Sequence, residues 1–170
     1  MWVLLKDSLF IYRSANDSPL LQEICALAKS VATKNPSTLP AFLSFVQNVT
    51  ELHGHKAEIK PNLDSESIAI GAIVKELMVT SYENVMSFST HQKQQPLSTP
   101  DDKSDIMSSM FKTLSACANK CPILLLTVAR DGQTAGELVL SSVQASPGTL
   151  KAAEFEVSLS TINFLRVLVS

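Results

Sequence analysis

Residues Ser18–His53 read SPLLQEICALAKSVATKNPSTLPAFLSFVQNVTELH, and their periodicity decides the fold class. Ser18 suits an N-cap and Pro19 the first helical position. Leu20, Leu21, Ile24, Leu27, Ala28 and Val31 then recur at the i, i+3, i+4, i+7 spacing of an amphipathic helix. Lys29 and Lys34 complement the dipole near its end. Asn35-Pro36 breaks the pattern. A second helix is predicted from about Ser37 to His53, with Leu39, Phe42, Leu43, Val46, Val49 and Leu52 on one face. Gly54 is placed to end it as a C′ residue. Two amphipathic helices across a short turn make an antiparallel helical hairpin.

Composition agrees with a packed helical chain. Of 170 residues, 45% are apolar and 18% charged, which provides a core and excludes a disordered chain. Net charge is −2 and no stretch clusters Lys and Arg, so nothing here forms a nucleic-acid interface. Three cysteines are an odd count, against a disulfide framework. The N-x-S/T matches at Asn16 and Asn48 are chance matches without a secretory context. The N-terminal MWVLLKDSLFIYRS carries Lys6, Asp7 and Arg13 and lacks a basic n-region and an A-x-A site, so it is a poor signal peptide. The apolar run Pro122–Ala129 is too short to span a bilayer. A reduced intracellular compartment is expected, with no membrane partner.

The helical period continues in both directions. Trp2 to about Arg13 is a first, uncapped segment. Asp64 caps a helix carrying Ile70, Ile73, Val74, Leu77, Met78, Tyr82, Val85 and Met86, with VTSY at 79–82 as a place for a kink or break. Residues 89–100 are polar and read as an exposed loop. Thr99 caps the next helix, Pro100 takes its first position, and Asp101 and Asp102 favour its positive end. Met107, Met110, Phe111, Leu114, Cys117, Ala118 and Cys121 share its inner face until Pro122 stops it. Ile123–Ala129 is read as a short helical turn or extended linker and not as a strand. A helix from about Gln133 to Gln144 turns Ala135, Leu138, Val139 and Val143 inward, and a last one runs from about Leu150 to Val169.

The predicted class is all-α. Helix pairs at about 18–53, 64–88 and 101–145, then a last helix at about 150–169, stack as a short α-solenoid. Helix starts near Ser18, Asp64 and Thr99 fall roughly 35–46 residues apart, the period of HEAT or armadillo units. Amphipathic pattern runs to both ends, so the chain is expected to be one helical-repeat segment of a longer array. Leu159, Ile162 and Leu165 are then expected to be less buried than their pattern implies, for lack of a following repeat.

The candidate chemistry is thin. Cys117 and Cys121 lie four apart and point the same way on a helix, so two thiolates could share a metal. A zinc site needs four ligands, and Cys25 and the three His residues are scattered. A redox pair prefers C-x-x-C at a helix N-terminus, whereas these cysteines sit where the dipole raises a thiol pKa. Their place behind Phe111 and Leu114 reads as core. His53 and His55 could chelate, but Glu51 is their only acidic neighbour, and His also suits a helix end. Cys25 with His53 would need an oxyanion hole that the sequence does not supply. Asp131-Gly132 signals a turn, with Thr134 as an alternative cap, and no G-x-x-x-x-G-K is present to cradle phosphate. Met78, Met86, Met107 and Met110 fall on core stripes. The only polar residues on otherwise apolar stripes are small ones, such as Ser81 and Thr113. No catalytic, cofactor-binding or metal residue is assigned, and no small-molecule substrate is expected.

The stretch MFKTLSACANKCPILLLTVARDGQTAGELVLSSV, Met110–Val143, resembles a HEAT unit from the C-terminal half of the importin-β (karyopherin) superfamily, nearest its transportin-SR-like branch. In that branch a helix of this kind ends in an apolar CP-x-L-L-L segment. A second helix then carries small and apolar residues as GELVLSSVQAS does, and FEVSLSTINFLRVLVS matches the helix after it. The resemblance covers Met107–Ser170 and, more loosely, Ser18–His53; the middle departs from it. It implies a curved, non-catalytic solenoid that carries protein cargo through nuclear pores, responds to the Ran GTPase, meets nucleoporins and shuttles between nucleus and cytoplasm. Ran contacts in such proteins lie mostly in the N-terminal half, so no binding residue is carried over.

Overall fold

The computed structural model describes residues 18–58, 64–91, 100–130, 133–134 and 137. Four long helices carry the fold: α1 (Ser18–Lys34), α2 (Leu39–His53), α3 (Ser65–His91) and α4 (Pro100–Lys120). A short α5 (Ile123–Thr127) follows, then a minimal antiparallel ribbon of β1 (Ala129–Arg130) and β2 (Gln133–Thr134). Apart from that ribbon, all regular structure among the described residues is helical.

The turn between α1 and α2 is built from its own side chains. The Asn35 N–H still donates to Val31 O at 3.0 Å, and Thr38 Oγ1 donates back to Asn35 O at 2.8 Å. Ser37 Oγ donates to Asn35 Oδ1 at 2.7 Å. Pro36–Thr38 form a single 3-10 turn, so α2 begins at Leu39, two residues later than its periodicity suggests. Such local side-chain bonds offer the backbone an alternative to helix.

α2 is the central helix. Leu39, Phe42, Leu43, Phe45, Val46, Val49, Thr50 and His53 are all buried, more than one face can account for. Its most extensive neighbour is α4, then α3, while α1 rests mainly on α3. One polar contact marks each of these seams. Thr113 Oγ1 of α4 donates to Leu43 O of α2 at 3.0 Å. Thr50 Oγ1 of α2 lies 3.9 Å from Met78 Sδ of α3. Lys29 of α1 pairs with Glu76 of α3.

The buried line of α1 is Leu21, Cys25, Ala28 and Ala32. This corrects the predicted stripe: Leu27 is 49% exposed, and Leu20, Ile24 and Val31 are only half-buried. Small side chains let α1 lie close on α3, and the larger ones flank the contact. On α3, Ile70, Ile73, Val74, Leu77, Met78, Tyr82 and Val85 are buried as expected, with Met86 half-buried beside them. Asp64 caps it, its Oδ1 accepting from the Ser67 N–H at 2.6 Å. α3 runs unbroken through 79–82 to His91, so there is no break at that place and residues 89–91 are helix, not loop. Within this stretch the buried Ser81 satisfies its hydroxyl by donating to Leu77 O of its own helix at 2.8 Å.

Gly54 does not end α2 as a left-handed residue. Its φ of −55° and ψ of −35° are right-handed, and it opens a second 3-10 turn, Gly54–Lys56. Glycine is required there by proximity. A Cβ on Gly54 would lie 2.7 Å from Lys120 Cβ and 3.2 Å from Cys121 Sγ. Gly71 clears the other side of the same turn, where a Cβ would run into the Lys56 carbonyl oxygen and lie 3.1 Å from Ala57 Cα. The two glycines let this turn wedge between α3 and the end of α4.

Ile123–Thr127 is the short helical turn expected. Gln133 and Thr134, expected to start a helix, instead pair with Arg130 and Ala129. The partner strand that the sequence analysis did not find thus lies two residues away, across Asp131-Gly132, a strong hairpin signal. Thr134 is nevertheless a cap. Its N–H donates to Glu137 Oε2 at 2.6 Å, and the Glu137 N–H donates to Thr134 Oγ1 at 3.2 Å. That is a capping box, T-x-x-E. The first segment at 2–13, the loop at 92–99, the rest of the helix expected to 144, the last helix at 150–169, and Leu159, Ile162 and Leu165 lie outside the described residues.

Candidate functional site

The end of α4 gathers the residues with the most chemical potential. Phe111, Leu114 and Cys117 lie on its inner face, and Cys121 is the first residue beyond it. The Cys121 N–H still donates to Cys117 O at 2.8 Å, which holds the second cysteine one turn above the first. Both side chains are fully buried, reduced, and 3.7 Å apart at sulfur. Cys117 Sγ also approaches Cys121 O at 3.5 Å. The contact with Cys121, with burial, pushes the Cys117 thiol far above the ordinary range. The same contact lowers Cys121 while burial and the Glu58 carboxylate oppose it. Cys121 Sγ donates to Cys117 Sγ, the Cys117 S–H faces Cys121 O, and of the two Cys121 gives up its proton more readily.

The histidines do not join this pair into a metal centre. His53 is buried and His55 exposed, so the two do not present a common face. Burial, with Lys56 and His55 adding repulsion, pushes the His53 pKa down to about 4, and the ring is neutral at physiological pH. Among the described residues no three of His, Cys, Asp and Glu are placed to hold a metal ion. Cys25 is in the α1–α3 seam, where burial pushes its thiol up to about 12, Lys29 drawing it back and Glu76 adding to the rise. A thiol so raised is not a nucleophile at neutral pH.

Met78 and Met110 are fully buried, and Met86 and Met107 pack against the core from its edge. Of the polar residues on apolar stripes, Ser81 donates within its own helix, and Thr113 sits between Leu43 O and Ser109 O at 3.0 and 2.9 Å. Both hydroxyls serve the packing. The side-chain amide of Asn84 on α3 is a buried donor with no partner. Sequence reading missed it, as it missed the role of Gly54, because neither lies in a recognisable pattern. Ile68 and Leu126 stand 58% and 69% exposed, too far apart in sequence to have formed a motif.

Comparison with protein-family models, curated proteins and solved structures gives no match. The likeness to importin-β repeats therefore rests on the quoted residues alone. No helix among the described residues is long and apolar enough to cross a membrane.

Proposed function

We propose that this chain is a non-catalytic protein-binding scaffold, a HEAT-like α-solenoid segment that carries protein cargo in Ran-dependent transport between nucleus and cytoplasm. The observation that carries the reading is the alternate-helix packing. α1 rests on α3, α2 rests on α4, and α2 also touches α3. In an up-and-down bundle, sequential helices are the main neighbours. In stacked helix pairs, first helix meets first helix and second meets second, and the α1–α3 and α2–α4 contacts support that reading. The residues of the α4–α5 corner, which resemble transportin-SR-like repeats, add the direction toward nuclear transport.

The test is capture of partner proteins from nuclear extract on the intact protein, followed by a wash with Ran loaded with GTP or GDP. Cargo carriage expects the captured set to change with the GTP form alone. An identical set in both washes overturns the transport reading and leaves a scaffold of another kind. Release of every protein by both forms would count against any specific scaffold.

A further inference from the structure

The structure places Cys117 and Cys121 at sulfur–sulfur contact, 3.7 Å, with both thiols reduced. A disulfide needs about 2.05 Å between sulfurs and about 4.4–6.8 Å between Cα atoms. Residues four apart along an α-helix are separated by a rise of about 6 Å, inside the Cα window, but their Cβ atoms are about 5–6 Å apart against about 3.8 Å in a disulfide, so closure unwinds the last turn of α4. Cys121 lies just past the last residue of α4, its N–H bonded back to Cys117 O and its carbonyl to the Leu124 N–H of the turn into α5. Gly54 backs directly onto Cys121 Sγ, which a Cβ there would approach to 3.2 Å.

We propose that Cys117 and Cys121 are a dithiol that hydrogen peroxide oxidises to a disulfide across the end of α4, making the α4–α5 corner a redox-sensitive joint. The chemistry balances in two steps. The Cys121 thiolate attacks a peroxide oxygen; the S–O bond forms, the O–O bond breaks, and the departing hydroxide takes a proton and leaves as water. The product is a sulfenic acid on Cys121. Local opening of the helix end lifts the burial and the Cys121 contact that hold the Cys117 proton, and the Cys117 thiolate then attacks the sulfenic sulfur; the S–S bond forms, the S–O bond breaks, and the departing hydroxide takes up the released proton as a second water. Two thiols are oxidised and one peroxide is reduced to two waters. The lower affinity of Cys121 for its proton fits its role as the attacking sulfur, with Cys117 resolving.

Both sulfurs are fully buried, so reaction proceeds through local opening of the helix end. A water-sized oxidant needs the smallest opening, which favours peroxide over a peptide disulfide. Closure has a structural consequence. Cys121 O accepts from the Leu124 N–H at 3.0 Å, the first bond of the turn into α5. Drawing the sulfurs together moves Cys121 off Gly54 and removes the Cys117 S–H that faces this same carbonyl. The first turn of α5, which holds Leu124 and Leu125 in the core, shifts with it.

The test uses the intact, reduced chain treated with hydrogen peroxide at neutral pH. Remaining thiols are blocked with N-ethylmaleimide and the protein is digested with trypsin. Cleavage after Lys112, Lys120 and Arg130 puts the two cysteines in separate peptides, 113–120 and 121–130. The expected result is a cross-linked pair of these peptides that dithiothreitol separates. It forms in the wild type and in Cys25→Ala. The ratio of cross-link to sulfinic acid is about tenfold higher in the folded chain than in urea, because proximity raises the effective concentration of the resolving thiol. Equal ratios folded and unfolded, sulfinic acid without cross-link, or a cross-link to Cys25 in place of this pair would each overturn the proposal. The wild-type measurement needs no substituted protein, so it does not depend on whether Cys117→Ser or Cys121→Ser folds.

Discussion

Gly71→Ala sets two physical effects of opposite sign against each other. Gly71 is inside α3, where replacing glycine with alanine gains about 1 kcal/mol of helix propensity and loses nothing in backbone geometry. Helix propensity alone therefore predicts a more stable protein. The packing predicts the reverse. The added Cβ would run into the Lys56 carbonyl oxygen, lie 2.9 Å from Lys56 C and 3.1 Å from Ala57 Cα. Comfortable contact between such atoms is about 3.5–4.0 Å. All three obstacles are backbone, so no side-chain rotation relieves them, and the 3-10 turn has to retreat from α3. That turn is held on its far side by Lys120 and Cys121 against Gly54. Overpacking of this kind costs about 1–3 kcal/mol, and a backbone obstacle belongs at the upper end. Offsetting the helix gain leaves a net loss of about 2 kcal/mol, or a Tm lower by about 4–8 °C for a chain of this size. Thermal and urea unfolding followed by circular dichroism would measure it. Ala72→Gly, at the exposed next position, isolates propensity and should cost about 1 kcal/mol. A Gly71→Ala protein that melts at or above the wild-type temperature, while Ala72→Gly loses stability, refutes the wedge.

Other outcomes follow from single contacts. His53 has its pKa pushed down to about 4 by burial. Both states are neutral above the unfolded value near 6.5. As pH falls from there to about 4 the unfolded chain binds the extra proton, and up to about 3 kcal/mol of stability is lost. His53→Phe should flatten that part of the pH–stability curve, and an unchanged slope would exclude His53 as its source. Thr113→Val removes the hydroxyl between Leu43 O and Ser109 O and should cost about 1–2 kcal/mol in urea unfolding, whereas a change under about 0.3 kcal/mol would mean the seam does not use it. Glu137→Ala breaks the capping box and should speed hydrogen exchange at the Thr134 amide, while Glu137→Gln should hold it near the wild-type rate. Equal exchange in both variants would show the box to be idle.

What the sequence made legible is what periodicity controls. The inward faces of α3 and α4 were readable because their stripes are long and unambiguous. Asp64 and Thr134 were readable as caps because side-chain capping is local chemistry. α1 was harder. Its true contact line, Leu21–Cys25–Ala28–Ala32, is less hydrophobic than the flanking line through Leu27, so a hydrophobicity count favours the wrong side. Close approach selects for small size, and size is not what the pattern measures. Gly54 shows the same limit from another direction. Glycine after a helix signals a left-handed end, yet here the backbone is right-handed and the residue is small because α4 passes over it. In α3, the full burial of Ser81 also depends on a tertiary environment, with its hydroxyl closed onto Leu77 O.

The cysteine pair shows how packing sharpens a reading that spacing leaves flat. At the sequence level, C-x3-C argued against metal and against a low-pKa redox motif, and core burial was the remaining account. The burial holds, with both sulfurs at 0% exposure. Burial does not make two thiols inert toward each other, however. Core packing fixes their separation at 3.7 Å, while the turn after α4 leaves one of them outside the helix. The same corner is where α4, α5 and the Gly54 turn meet. A covalent change of one bond there would reach the packing of α5 through the Cys121–Leu124 hydrogen bond. The disulfide test and the Gly71 test therefore probe one junction from two sides, and a Gly71→Ala protein should also form the cross-link faster, because a 3-10 turn pushed off α3 presses on Lys120 and Cys121 and loosens the end of α4. Slower or unchanged cross-linking in that variant would separate the wedge from the thiol pair and confine the redox step to α4 itself.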